Sequence, residues 1–359
     1  MGIVYEAVQE SLDRKVAIKT LNDHPLNAPR KATRFRREAR AIAKLHHNNI
    51  VNLFGSGVHN GIPYFAMHLI NGQSLDQLLG QAKSNPELPN LLLGPKRFEN
   101  IAQIGIQIAK ALQYAHDQGI LHRDIKPSNL IVDESETTWV SDFGLAKLTS
   151  EPDATNSVDV VGTLRYLPPE AVNGEWGPAS DVYSLGLTLY ELLALTPAYP
   201  ESDRIVLLNR KSSGERPKRI AVAGLKVPPD LENIIGKATE HKPSARYDDA
   251  EQFAEDLKRF IAGESTLARP AGPITRLAKW SKRKKALAAL LFTILAVAIF
   301  GIPLLTLMWL RSENALHQLK AEQTKTVVAR QQERNALVAA KDASRASEAA
   351  SYSLSLIHI

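Results

Sequence analysis

Four short motifs in the first half of the chain carry residue types that phosphate chemistry requires. In chain order they are Val-Ala-Ile-Lys ending at Lys19, Arg-Arg-Glu-Ala containing Glu38, His-Arg-Asp-Ile-Lys-Pro-Ser-Asn over 122–129, and Asp-Phe-Gly over 142–144. Phosphoryl transfer needs a cation beside the phosphates, oxygen ligands for a metal ion and a carboxylate beside the acceptor hydroxyl. Each motif alone has an ordinary interpretation, as a solvated lysine, a surface glutamate or a turn. All four together, in this order, predict phosphoryl transfer.

The order of the motifs resembles that of the eukaryotic-type protein kinases, a family that includes bacterial transmembrane serine/threonine kinases. By this resemblance, Lys19 would hold the α- and β-phosphates of ATP and pair with Glu38. Asp124 would accept or orient the proton of the substrate hydroxyl. Asn129 and Asp142 would bind Mg²⁺, whose charge assists the transfer of the γ-phosphate.

The resemblance extends from Met1 to about Ile261 and also implies the acceptor class. Lys126 is similar to a lysine that serine/threonine kinases keep and most tyrosine kinases lack. The expected substrates are therefore proteins with Ser or Thr acceptors. Met67 resembles the gatekeeper before the hinge, and apolar residues would surround the adenine ring. The predicted adenine-lining residues are Val4, Ala17, Met67, Leu69 and Ile131.

Three further residues have structural roles by the same resemblance. Leu-Pro-Pro-Glu over 167–170 looks like the family's Ala-Pro-Glu with proline in place of alanine. Glu170 would then form a buried ion pair with Arg246 that holds the large lobe together. Asp181 resembles the helix residue that anchors the backbone of the catalytic loop.

Regulation is expected from the segment that follows Asp-Phe-Gly. Arg123 directly precedes the predicted base, as in kinases that activation-loop phosphorylation switches on. Ser150, Thr155 and Ser157 could each gain a phosphate that pairs with Arg123 and orders the segment, although all three could equally be plain polar loop residues. Thr163 resembles the residue that contacts the catalytic base.

Hydrophobic periodicity predicts an α+β fold with two lobes, a β-rich small lobe and an α-rich large lobe. Alternating apolar residues around positions 4–18 favour an antiparallel hairpin that turns near Asp13 and Arg14. Two long helices follow, because apolar residues recur at helical spacing on one face of each. These faces contain Ile101, Ile104, Ile108, Leu112 and Ala115 in one helix, and Tyr183, Leu187, Tyr190 and Leu193 in the other.

Beyond this domain, assigned to 1–262, the composition indicates a membrane protein. Residues 263–285 read as a basic juxtamembrane linker, and 286–310 as a transmembrane helix, since about 25 apolar residues span a bilayer core. Lysine and arginine are concentrated before this helix, so the kinase domain should be cytoplasmic and the C-terminal segment outside. The resemblance to bacterial transmembrane kinases implies that this membrane is a bacterial cell membrane. The net charge of +6 therefore points to the bilayer as a partner and away from nucleic acid. The chain contains no cysteine, which excludes disulfides, thiolate zinc sites and thiol nucleophiles.

Both ends of the chain depart from the expected pattern. Met-Gly-Ile-Val at the start matches only the last four positions of the family's glycine-rich loop, so we expect a first strand and two glycines to precede it in the parent protein, and weak ATP binding without them. Residues 311–350 should be helical, with a broken coiled coil and a homodimer through it as open alternatives. The tail at 351–359 resembles translated sequencing adapter, or is an ordinary apolar tail.

Two other functions compete with the predicted kinase activity. A pseudokinase scaffold is disfavoured because a scaffold has no physical need for the complete set of motifs. A small-molecule phosphotransferase is disfavoured by the activation segment and by Pro169-Glu170, which in protein kinases help to build the surface where peptides dock.

Overall fold

The computed structural model describes residues 3–20, 29–85, 91–143, 162–220, 226–268 and 284–355. The chain forms two compact units, residues 1–280 and 281–359. The first contains the mixed sheet and helix architecture that the sequence predicts, and the second is helical.

The small lobe of the first unit is a four-stranded antiparallel sheet with the order β1-β2-β4-β3. Its predicted hairpin is present, and the turn includes Asp13 in the left-handed region at φ 44°. Helix α1 lies between β2 and β3 in the chain. The elements are β1 (Val4–Gln9), β2 (Arg14–Thr20), α1 (Pro29–Ile42), β3 (Leu53–His59) and β4 (Ile62–His68).

The large lobe is mostly helical and contains the main hydrophobic core. The predicted apolar faces of α3 and α4 are buried in it. These two helices approach α7 closely at Gly105, where an added Cβ would lie 2.8 Å from the side chains of Leu189 and Leu257. The helices are α2 (Leu75–Ser84), α3 (Arg97–Asp117), α4 (Pro178–Ala194), α5 (Arg204–Ser212), α6 (Pro229–Ala238) and α7 (Ala250–Ile261).

A small antiparallel sheet in the large lobe, of order β5-β6-β7, flanks the predicted catalytic loop. Its strands are β5 (Gly72–Ser74), β6 (Leu130–Asp133) and β7 (Thr138–Val140). The backbone of residues 49–51 pairs with β7, through Val140 N–H to the Asn49 carbonyl at 2.8 Å and Val51 N–H to the Val140 carbonyl at 3.0 Å. This pairing joins the segment before β3 to the strand that leads to Asp142.

The second unit is a long helical segment, with α8 (Lys285–Ala296), a π-helical turn over Val297–Gly301 and α9 (Ile302–Ser355). Its apolar part is long enough and apolar enough to cross a membrane. The π turn lies just before Pro303, which has no N–H to donate to the carbonyl four residues earlier. The helix runs on past position 310, so the predicted transmembrane and outer helices are continuous.

Candidate active site

The register of the small-lobe sheet places Lys19 and three of the five predicted adenine-lining residues on one face. Lys19 lies opposite Val4 on β1, and Ala17, two residues earlier on β2, lies opposite Met67 on β4. Residues directly opposite each other share a face, as do residues two apart in a strand. Of the remaining predicted lining residues, Ile131 lies on β6 and Leu69 just after β4.

Lys19 forms an ion pair with Asp142, which follows β7. Both side chains are largely buried, so the pair joins the small-lobe sheet to the predicted metal ligand across the cleft. The predicted ion pair of Lys19 with Glu38 is not formed among the residues that the structure describes, because the Lys19 ammonium is directed to Asp142 instead. Glu38 lies on α1 and is partly buried.

The predicted catalytic base is the centre of a compact polar cluster. Lys126 Nζ lies 2.8 Å from Asp124 Oδ2 and donates a hydrogen bond of 2.8 Å to Thr163 Oγ1. Asn129 Nδ2 donates to the backbone carbonyl of Asp124 at 2.7 Å and to its Oδ2 at 3.0 Å. Lys126 and Asn129 are each 5% exposed. These contacts therefore fix the Asp124 carboxylate and connect it, through Lys126, to Thr163.

The catalytic loop backbone is held by the fully buried carboxylate of Asp181, on α4. This carboxylate accepts hydrogen bonds of 2.8 Å from the N–H groups of His122 and Arg123 and another of 2.8 Å from His116 Nε2. Burial would raise the pKa of Asp181, but the hydrogen bond and charge of His116, the charge of His122 and the N–H of Arg123 outweigh it and lower that pKa. Arg123 has φ 69°, which costs free energy in a non-glycine residue. The Asp181 contacts stabilise this unfavourable backbone.

The donor set at Asn129 and Asp142 fits Mg²⁺. Because Asn129 Nδ2 is used on Asp124, its amide oxygen is left to face a cation. Ser141, the neighbour of Asp142, bonds to the Asn129 carbonyl through its N–H and its Oγ, both at 2.9 Å, and this keeps the two ligand residues adjacent. Mg²⁺ is commonly held by one or two protein oxygens plus phosphates and water.

Comparison of the sequence with models of known protein families identifies the family of this chain. The model for "Protein kinase domain" matches residues 1–259. The chain belongs to the protein kinase family. Among its relatives, this kinase is 36% identical over 261 residues to serine/threonine-protein kinase PrkC of Bacillus subtilis, covering 72% of this chain and 38% of PrkC. It is 32% identical to PknL of Mycobacterium tuberculosis, covering 74% of this chain and 63% of PknL.

Solved structures agree on the fold. The kinase domain of Mycobacterium tuberculosis PknI, solved as a single-substitution mutant, is 25% identical with a TM-score of 0.54, and the match covers 73% of this kinase and 91% of that chain. The two-lobed kinase fold predicted from the sequence is thus confirmed. Three curated relatives are matched over 36%, 41% and 38% of their own lengths, so this kinase spans about two fifths of each.

The large lobe of the kinase contains the ion pair predicted between Glu170 and Arg246. Their contacts are bidentate, at 2.7 and 2.8 Å, and Ser180 Oγ donates to Glu170 at 2.7 Å. Burial would raise the pKa of Glu170, but the hydrogen bond and charge of Arg246 outweigh it and lower that pKa. Arg246 also donates to the backbone carbonyls of Ala179, Glu240 and His241.

Of the five predicted regulatory residues, Arg123 and Thr163 lie within the described residues. The Arg123 guanidinium lies over the Trp176 ring, 5.7 Å from its centroid. Thr163 contacts the base through Lys126, as given above. Ser150, Thr155 and Ser157 lie outside the residues that the structure describes.

Two residues at this site were missed by sequence reasoning, His116 and Lys211. His116 ends the apolar face of α3 and bonds to Asp181, a contact between distant segments that no local pattern marks. Lys211 is buried on α5, four residues after the buried Leu207, so both lie on one helix face. That spacing was the available signal for a lysine directed inward.

Proposed function

We propose that this chain is a membrane-anchored serine/threonine protein kinase that transfers the γ-phosphate of ATP to protein hydroxyls, with Asp124 as the base. The observation that carries the proposal is the Lys126 contact with both Asp124 and Thr163. A lysine between the base and the neighbouring segment can neutralise charge on a transferring phosphate while the carboxylate faces the acceptor hydroxyl.

The positions of the residues support the following proposed roles. Asp124 accepts or orients the hydroxyl proton, and the amide of Asn129 keeps the carboxylate fixed. Lys19, on the face that also carries Ala17 and Met67, would contact the α- and β-phosphates, with adenine against the apolar residues. Asn129 and Asp142 would hold Mg²⁺, which, when bound, neutralises phosphate charge. With nucleotide and metal bound, the Lys19–Asp142 ion pair would be replaced by these contacts.

The membrane segment is proposed to place the kinase domain in the cytoplasm and the residues after the helix outside. The support is the apolar helix and the excess of lysine and arginine before it. The substrates would then be cytoplasmic proteins.

Replacement of the base tests the catalytic proposal. The purified chain in detergent, with Mg²⁺ and labelled ATP, should phosphorylate casein on serine and threonine. Asp124→Asn should lower the rate by roughly 10²- to 10⁴-fold, because proton transfer in the transition state is lost. Asp117→Asn is the matched control, since Asp117 is exposed at the end of α3. Equal labelling by the wild-type and Asp124→Asn proteins would refute the assignment.

A further inference from the structure

The segment Thr163–Leu167, which we call the docking segment, is held at both ends by buried lysines. At its start, Thr163 accepts the hydrogen bond from Lys126, the neighbour of the base. At its end, the Leu167 carbonyl accepts a hydrogen bond of 2.8 Å from Lys211 Nζ, on α5. Between them, the Tyr166 carbonyl accepts a bond of 2.9 Å from Ser184 Oγ, on α4. The backbone of this segment is therefore fixed relative to Asp124.

Lys211 is an unusual choice for its position. Its side chain is 1% exposed, and Leu207, one turn earlier on the same face, is fully buried. An ammonium there loses its hydration, a cost that an apolar residue of similar size would avoid. Burial first, and then the charge of Arg246, lower the pKa of Lys211 to about 7, while Glu170 opposes the shift.

The contacts of Lys211 offset part of this cost and give it a direction. Its Nζ lies 4.4 Å from the centroid of the Tyr199 ring and 5.4 Å from that of Tyr183. Its hydrogen bond goes to the Leu167 carbonyl, just before Pro168 and Pro169. Neither proline has a backbone N–H that could donate a hydrogen bond at this point in the chain. The Lys211 side chain supplies a donor instead.

We infer that Lys211 is a positioning residue that fixes the docking segment for the protein substrate. This inference rests on the proposed kinase function, since a peptide whose hydroxyl reaches Asp124 must lie along the residues bonded to Lys126. Without the hydrogen bond from Lys211 to the Leu167 carbonyl, the docking segment keeps only its Lys126 contact. Its position relative to Asp124 then becomes less fixed. Binding of the protein substrate should weaken, and binding of ATP should not change.

Hydrogen exchange of the docking segment tests the contact without any need for catalysis. The variant Lys211→Met keeps the aliphatic stem and removes the donor. We expect the amides of Tyr166 and Leu167 to exchange about tenfold faster, as the loss of one charge-assisted hydrogen bond predicts. Lys237→Met is the matched control, because Lys237 also lies over a tyrosine, 4.3 Å from the Tyr247 centroid, and makes no hydrogen bond to the docking segment among the described contacts. Unchanged α3 amides would show that the fold is intact.

Substrate binding then tests the consequence. Fluorescein-labelled casein, followed by anisotropy, should bind Lys211→Met about tenfold more weakly than wild type, while a fluorescent ATP analogue binds equally to both. Docking-segment exchange equal to wild type, unchanged casein affinity, or equal weakening by Lys237→Met would each overturn the inference. If wild type binds both casein and the ATP analogue without phosphorylating casein, the kinase function fails while exchange and affinity still decide the role of Lys211.

Discussion

At the scale of single residues, the candidate site depends on ion pairs between side chains that are largely buried. Lys126 contacts Asp124 and Thr163 at the same distance of 2.8 Å and is almost fully buried. Removing either partner of a buried lysine–carboxylate pair is costly, because the other charge is then left unpaired. Lys126 and Thr163 should therefore act together on the base.

A double-mutant cycle measures that joint action. Lys126→Met and Thr163→Ala should each lower kcat/KM for casein phosphorylation, Lys126→Met more strongly because it removes a cation from the transferring phosphate. The double variant should lose less than the sum of the two losses, with a coupling of ~1–3 kcal/mol, since each single change already breaks the shared contact. Lys126→Met combined with Asp117→Asn should be additive. Additivity in the first cycle would contradict the joint role.

The residue scale also shows what sequence reasoning can and cannot predict. Motif order and the family resemblance together predict Asp124, Asn129 and Asp142 as site residues, since phosphate chemistry demands particular residue types. The ionic partner of Lys19 was not correctly predicted, since Glu38 and Asp142 are both carboxylates and only the three-dimensional arrangement selects Asp142. Lys211 was missed because a lysine in a helix is usually solvated, and its burial depends on residues far away in the chain.

At the scale of secondary structure elements, α4 organises the large lobe through polar contacts at its N-terminal end. Asp181, in its first turn, supports the catalytic loop, and Ser180 bonds to Glu170. Arg246, just before α7, completes this group through its bidentate contact with Glu170. The helix periodicity of α3 and α4 was readable from sequence, and the resemblance implied the roles of Asp181 and of the Glu170–Arg246 pair. The contact between His116 at the end of α3 and Asp181 at the start of α4 was missed.

The Glu170–Arg246 ion pair should make stability depend on pH in a defined window. Glu170→Gln should lower the free energy of unfolding at pH 7 by ~3–5 kcal/mol, because Arg246 stays buried without its charged partner. The folded-state pKa of Glu170 lies below its unfolded value of 4.5, so the stabilisation is present above pH 4.5 and is lost as pH falls through the folded-state pKa.

Denaturant unfolding of the wild type and the Glu170→Gln variant at pH 7, 5 and 4 measures this dependence. The difference in stability between the two proteins should be largest at pH 7 and should shrink at the lowest pH. The exposed Glu175, changed to Gln, serves as control and should show little difference at any pH. A constant difference for Glu170→Gln across the range would indicate that the lost contact is packing rather than charge.

At the scale of the whole molecule, a kinase domain and a long apolar helix occur in one chain. The helix has exposed leucine, isoleucine and phenylalanine side chains on all sides, as expected for a segment that contacts lipid. A helix able to cross a membrane is predictable from length and composition, because the thickness of the bilayer core sets the number of apolar residues required. The π turn before Pro303 is not predictable, since the sequence permits several ways to accommodate a proline within a helix.

The absence of cysteine allows the orientation to be tested with single-cysteine variants. Asp117→Cys marks the kinase domain, and Ser344→Cys marks the segment after the helix. In intact bacterial cells expressing the chain, a membrane-impermeant maleimide should label Ser344→Cys only, and both variants should react after lysis.

Changing the six basic residues Arg276, Lys279, Lys282, Arg283, Lys284 and Lys285 to glutamine should let Asp117→Cys react in a fraction of the intact cells, because the charge bias that would retain this side in the cytoplasm is removed. Labelling of Asp117→Cys in intact cells with the basic residues present would reverse the proposed topology and place the predicted ATP site on the wrong side of the membrane.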